Sequence, residues 1–366
     1  MKKPKLLFNR AKLLCFLFLI MFLTCITTSK AQSDVYLNKV AKVSGYGFGY
    51  AITIQGNYAY VTVNDGFVII DIENSIKPKV VGEFLNRGDG FGIHIENDIV
   101  LLAAGGEGLK IVNVSDPSNP FQMGQCYIEG ISNAVYTEDN YAFITSYETG
   151  LHIVDITNLS NPVEVGTYSV YGRADNVIVV DGIAFIAFPE YGVVVLNVTI
   201  PSSPAYISII PSTGGAKGLD AFSNLLAVSC YSSNVIIVDI STINNPLVLG
   251  IYSDDDGGEA HGVEGNRTHL YIADNYGIEY LDISGLPSIS KKAEYRTRIT
   301  SAHDVEFKNN YVFIAGGSLG KTCLVFEVSD TKKLNLIGVY IGVPVAIIVI
   351  TASYFMLKIR NKKKKI

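Results

Sequence analysis

Two histidines offer the sharpest chemistry in this chain. His261 sits in "EAHGVEG" and His303 in "SAHDVEF", 42 residues apart and each directly after an alanine. An imidazole near neutral pH serves as a general base or as a ligand for a divalent cation. Glu264 and Asp304 are close to them in sequence, and Asp175 falls in the same frame of a repeating pattern. Histidine and carboxylates converging on one point can hold a cation such as Ca or Zn and activate water, which would make a metal-assisted hydrolase. Two features weigh against this. The frame lacks a set of three carboxylates, and Lys217, which shares it, opposes a bound cation. The plainer reading is that the imidazoles hydrogen-bond neighbouring backbone and pack a channel. No catalytic residue is assigned, no cofactor is required, and the chain reads as a binding protein rather than an enzyme. His94, His152 and His269 fall in other frames and read as incidental.

The frame itself comprises Tyr50, Phe91, Asn133, Asp175, Lys217, His261 and His303. These seven vary in type. The residue before each is small: Gly49, Gly90, Ser132, Ala174, Ala216, Ala260 and Ala302. Small residues there would let the repeats crowd near a common axis. Positions that vary on a repeating scaffold are where recognition is placed, so the seven form the expected binding ring.

The scaffold is a word repeated at a period near 42. Its opening glycine falls at Gly66, Gly108, Gly150 and Gly192, then Asn234, Gly277 and Gly320. An acid or amide closes its apolar run at Asp71, Asn113, Asp155, Asn197, Asp239 and Asp282, and loosely Glu327. Pro78, Pro120, Pro162, Pro204 and Pro246 follow at the same spacing. Such a period marks a solenoid, an array or a propeller. In the third copy "NAVYTED", "NYAFITS", "LHIVDI" and "VEVGTYSV" read as four short strands separated by turn residues. The glycine suits a turn needing positive φ. The acid or amide can accept backbone N–H bonds from the next turn. The proline suits an exposed edge strand.

Seven four-stranded antiparallel meanders arranged radially give an all-β, seven-bladed β-propeller over residues 35–329. A stacked β-solenoid is the rival, but 42 residues is long for one coil. The seventh copy has room for only three strands, "AHDVEF", "NYVFIAG" and "CLVFEVS". The segment "NKVAKVSG" at 38–45 aligns with "KVVGEFLN" at 79–86 and supplies the fourth, closing the ring and removing two edges. Copy six, with an early Pro287 and "KKAEY" in place of an apolar strand, and copy seven, with extra residues near Val325, are the irregular ones.

The words "GLHIVDITNLSNPVEVG", "GLKIVNVSDPSNPFQMG" and "NVIIVDISTINNPLVLG" resemble the LVIVD repeat family. The resemblance implies a propeller of secreted or surface-anchored bacterial and archaeal proteins, mostly without a defined activity. It specifies fold far better than function.

The ends carry their own signals. Residues 1–31 have a basic start, an apolar run from Leu13 to Ile26 and a polar stretch ending in Ala31, the pattern of a signal peptide. Residues 334–357 lack any charge, and as a helix at ~1.5 Å per residue they would cross a ~30 Å hydrocarbon core. The basic tail, residues 358–366, would stay cytoplasmic and leave the propeller outside, a single-pass type I arrangement at the cell surface. The terminal "KKKI" resembles a dilysine retrieval signal, but a stop-transfer cluster is the simpler reading. The net charge of −5 is unevenly spread: six basic residues lie in each terminal segment, and the remaining 17 share the middle with all 34 acids. An acidic body argues against nucleic acid as partner and leaves an extracellular protein or a glycan.

Of five cysteines, Cys126, Cys230 and Cys323 lie in the propeller, without CxxC spacing, which excludes a disulfide scaffold and a cysteine zinc site. The acidic loop "SDDDGGEAHG" at 253–262 departs from the EF-hand pattern and reads as solvated. Asn113, Asn158, Asn197 and Asn266 each open a glycosylation sequon. Asn158 and Asn266 are the better acceptors, because Asn113 and Asn197 are strand-ending residues committed to turn bonds.

Overall fold

The computed structural model describes residues 35–329 except 86–88, 171, 213, 233, 255–256, 297–300 and 317–320. The segments expected to be a signal peptide, a transmembrane helix and a basic tail lie outside the described residues. Among the described residues no helix is long and apolar enough to cross a membrane.

The described chain forms seven four-stranded antiparallel sheets. Six are simple meanders, spanning 52–85, 92–126, 132–168, 176–210, 216–253 and 260–296. Blade three shows why the sequence folds this way. Its second strand, Tyr141–Ser146, and third, Gly150–Asp155, are apolar and buried along nearly their whole length. Its outer strand, Val163–Tyr168, is largely exposed, and Pro162 precedes it where no ladder bond is needed. Gly150 turns the second strand into the third at φ 94°, and a Cβ there would stand 2.4 Å from the Tyr168 carbonyl oxygen. Both the backbone angle and the close approach of the outer strand demand glycine.

The strand-ending acids and amides act as expected. Asp71, Asn113, Asp155, Asn197, Asp239 and Asp282 each accept a hydrogen bond from the backbone N–H two residues on, at 2.8–3.1 Å. Six blades thus share one device for leaving the third strand.

Blade seven is composite. Tyr36–Ser44 pairs antiparallel with Lys321–Ser329, bringing Ala41 opposite Val325, and lies outermost in a sheet completed by Tyr311–Gly316 and Ala302–Lys308. Seven apolar clusters make up the core, one between each pair of neighbouring blades. One of them joins Ile52, Val61 and Val68 of blade one to Phe313 and Val325 of blade seven, with Val43 of the first strand included. Another joins blades six and seven and contains Leu37. The first strand therefore seals cores on both sides of its blade.

Blade six, expected to be irregular, keeps four strands, with nine residues in each of the last two, Gly277–Gly285 and Ser288–Arg296. The "KKAEY" segment is tolerated because it forms the outer edge. There Lys291 pairs with Glu279 at 2.9 Å and Lys292 with Asp282 at 3.5 Å.

Candidate functional site

All seven ring residues line one cavity of ≈ 280 Å³ at the mouth of the channel. Each sits at the entry to, or the start of, the innermost strand of its blade. Hydroxyls on the second strands fix the backbone there. Thr62 Oγ1 accepts the Ala51 N–H at 2.8 Å and donates to the Phe91 carbonyl of the next blade at 3.2 Å. Ser229 Oγ repeats the relay in blade five, accepting from the Gly218 N–H at 2.9 Å and donating to the His261 carbonyl. Asp304 closes the seam by accepting the Ile52 N–H at 2.9 Å.

The small column is buried as expected, and at two of its positions the neighbouring blade leaves no room for a Cβ. A Cβ on Gly49 would meet the Thr322 carbonyl oxygen at 2.3 Å, and one on Gly90 the Gly66 carbonyl oxygen at 2.3 Å. At these two glycines the constraint comes from backbone of the preceding blade.

Three further residues complete the mouth. Arg173 and Asp175 form a bidentate pair at 2.6 and 2.9 Å, and the Tyr231 hydroxyl donates to Asp175 at 2.7 Å. Asn133 Nδ2 donates to the Asp175 carbonyl at 2.6 Å. The Arg173 guanidinium lies 5.3 Å from the ring centroids of both Tyr147 and Tyr231. A circuit then runs around the mouth with one member from every blade. Its rings follow in the order Tyr231, His261, His303, Tyr50, Phe91 and Tyr147, with centroids 5.2–6.5 Å apart, and Arg173 bridges the ends. Tyr147 and Tyr231 escaped the sequence reading because they lie beyond the second strands, outside the frame of the ring. Their spacing of two periods was the available signal.

Lys217 reaches inward. Its Nζ lies 2.7 Å from His261 Nδ1 and 4.5 Å from the Tyr231 ring centroid. Burial pulls Lys217 down to about 8, against the opposing pull of Asp175. Burial and then Lys217 bring His261 to about 3 and His303 to about 4, so both imidazoles are neutral at pH 7. Burial lifts Asp175 to about 6 even with Arg173 beside it.

The residues weighed for a cation, His261, His303 and Asp175, do not gather as a ligand set. The two imidazole rings are close, with centroids 5.2 Å apart, but Asp175 is taken by Arg173 and Tyr231, and the Lys217 ammonium faces His261. Among the described residues one trio brings ligand atoms within 4.8 Å of one another, Asp254, Asp274 and Glu279. Asp254 belongs to the acidic loop expected to be solvated, yet its side chain is 9% exposed. Lys291 Nζ approaches Asp254 at 3.3 Å and Glu279 at 2.9 Å, supplying a cation from the chain itself.

A second tier lies deeper, three residues along the inner strands. Asp220, Glu264 and Glu306, on consecutive blades, interact with one another and with Asp304. Burial raises each, and mutual repulsion adds to the rise of Glu264 and Glu306. Only Glu264 and Asp304 were noticed in sequence, as neighbours of the histidines. His94 packs against Tyr136 in this tier, at 4.8 Å between centroids, so its frame is shared after all.

The sequon asparagines do not divide as expected. Asn158 and Asn266 also accept turn N–H bonds through Oδ1, from Ser160 at 3.1 Å and Thr268 at 2.9 Å, just as Asn113 and Asn197 do. Exposure sets Asn158 apart, since the other three are half-buried.

The crystal structure of the β-propeller domain of Cps50 (Swd1) from Myceliophteria thermophila superposes with a TM-score of 0.64 at 11% identity, covering 80% of this chain and 100% of that one. The crystal structure of the computationally designed Ika8 protein superposes with a TM-score of 0.57 at 11% identity, covering 79% and 99%. At such identities these likenesses speak for the fold alone. No curated protein matches the sequence. The sequence model of the LVIVD repeat matches residues 48–86, 88–127, 129–170 and 171–210, which are blades one to four. Residues 48–210 of this chain therefore match the LVIVD repeat four times in succession.

Proposed function

We propose that this protein is an interaction module that recognises an extracellular protein or a glycan at the mouth of its propeller. One observation carries the reading: seven blades each send a residue into a single cavity, six residue types in all, while the scaffold beneath repeats. Aromatic, amide and charged groups held on strand ends give specificity without reorganisation on binding. Anchoring by residues 334–357, with the propeller outside the cell, rests on the sequence of the two termini. The hydrolase reading gains nothing from the geometry, since the Lys217 ammonium faces His261 and Asp175 is already engaged by Arg173 and Tyr231.

The test is capture of partners from the cell surface by the full chain, repeated with Tyr50→Ala, Phe91→Ala and Lys217→Ala. Loss of one defined ligand in these variants, with folding intact, is the expected result. A ligand held equally well by all three places recognition elsewhere.

A further inference from the structure

Among the described residues Lys217 is the one lysine that lines the mouth cavity, and it is half-buried there. Its surroundings are those that turn an ammonium into a nucleophile. Burial works against the charge and the Arg173 guanidinium adds to that, while Asp175 and the exposed Glu259 pull the other way. Burial prevails, and the amine stands at about 8 rather than an ordinary 10.5. At pH 7 about a tenth of it is neutral, against roughly three parts in ten thousand for an ordinary lysine. Asp175 is a weak counter-ion because both its oxygens are already engaged, by Arg173 and Tyr231. Burial also pulls Lys110 down, but that residue is 1% exposed and lies outside this cavity.

The amine is held in place as well. An ammonium only donates, so at the 2.7 Å contact His261 Nδ1 accepts. The same nitrogen can accept an N–H of the neutral amine and leave its lone pair to the cavity. His261 is 6% exposed, and Asn275 is a further hydrogen-bond partner of its side chain, which fixes the ring. The Tyr231 ring packs against the amine, its centroid 4.5 Å from Nζ. A nucleophile held by an acceptor that a third group orients is an arrangement suited to covalent chemistry. Tyr50, Phe91 and Tyr147 line the same cavity. Its ≈ 280 Å³ is at the small end of the ~300–1,000 Å³ typical of ligand sites, enough for one substituted ring.

We propose that Lys217 forms a reversible imine with a small, ring-bearing aldehyde in the mouth, with His261 positioning the amine and Tyr50, Phe91 and Tyr147 packing the ring. The neutral amine attacks the carbonyl carbon, the C=O π pair moves to oxygen, and proton transfer from nitrogen to oxygen gives a carbinolamine. Loss of water then breaks the C–O bond and forms C=N, both amine hydrogens leaving with the oxygen. Hydrolysis reverses the step. This chemistry goes beyond the proposed recognition and does not depend on it.

The test is reductive trapping on the full-length chain in detergent, with benzaldehyde or glycolaldehyde and sodium cyanoborohydride, read by peptide mass spectrometry. At pH 7 Lys217 gains the benzyl group at least about tenfold faster than the exposed Lys77 and Lys79, since lower basicity gives back part of its advantage in neutral amine. The ratio to Lys77 holds from pH 6 to about 7.5 and falls above about 8, where Lys217 saturates while an ordinary lysine goes on gaining. Arg173→Gln, checked for native circular dichroism, removes a cation and frees Asp175 to hold the proton. The fall then moves to higher pH and the advantage at pH 7 shrinks several-fold. His261→Leu removes the acceptor and slows labelling, whereas His261→Gln, with an amide oxygen in its place, restores it. A ratio no greater for benzaldehyde than for glycolaldehyde overturns the assignment to a ring-bearing aldehyde. Lys217 labelled no faster than Lys77, or a ratio unmoved by both pH and Arg173→Gln, overturns the inference, whatever partner capture shows.

Discussion

The lower tier of carboxylates makes stability fall as pH rises, and Glu264→Gln should remove much of that fall. Glu264 is lifted from an ordinary 4.5 by burial first, then by Asp220, Glu306 and Asp304, and the folded state therefore holds a proton that the unfolded chain releases. A carboxyl raised on folding contributes its stability below about pH 4.5 and loses it progressively above, at ~1.4 kcal/mol per pH unit for one proton. Between pH 5 and pH 8 that reaches ~4 kcal/mol at most. Glu264 and Glu306 keep part of their surface open to the channel, so water there solvates them, and about half, ~2 kcal/mol, is the working figure. Glutamine keeps the shape and cannot ionise. In urea denaturation the variant should match the native chain at pH 4 and exceed it by ~2 kcal/mol at pH 8. Comparing the two proteins at each pH cancels most titrations elsewhere, including those of Asp175 and the histidines. A variant no more stable at pH 8, or one whose advantage is greater at pH 4, would refute the reasoning.

Other consequences follow from particular residues. Gly150→Ala forces a Cβ to 2.4 Å from the Tyr168 carbonyl at a φ of 94°, and should cost ~2 kcal/mol or more, read as a lower melting temperature. Asp155→Ala removes the acceptor for the Thr157 N–H and lowers the melting temperature, whereas Asp155→Asn restores it, since Asn113 and Asn197 do the same work in blades two and four. Chelation with EDTA should leave the melting temperature unchanged, because Lys291 pairs with two acids of the blade-six trio, Asp254 and Glu279, and Lys217 faces the histidines. A drop on chelation would reinstate a cation.

Much of the architecture was legible because a period near 42 residues repeats every structural duty at a fixed place. Glycine at the turn, an acid or amide two residues before the N–H that it caps, and proline before the edge strand each have one physical reason to recur. The ring was legible for the complementary reason: Tyr50 through His303 share a frame yet differ in chemistry. Tyr147, Arg173 and Tyr231 were not legible, because a side chain beyond the second strand meets the ring only once seven blades close. The tier of Asp220, Glu264 and Glu306 was hidden in the same way. Each is an ordinary polar residue on an alternating strand, and its neighbours lie 42 or 44 positions away. Blade six looked defective in sequence because Lys291 and Lys292 replace apolar residues. Their partners, Glu279 and Asp282, lie on the neighbouring strand and are evident only in three dimensions.

Ring closure by the first strand underlies the mouth, since every blade must hold its place for the circuit from Tyr231 round to Arg173 to exist. The most direct measurement is amide hydrogen exchange in Lys321–Ser329 and in blade one, comparing the full chain with a chain lacking residues 35–44. With Tyr36–Ser44 gone, Val325 and Phe326 lose their outer partner, and Leu37 and Val43 leave two inter-blade cores. Protection should collapse in Lys321–Ser329 and weaken across blade one, with a fall in melting temperature out of proportion to ten residues. Unchanged protection in both segments would contradict the closure.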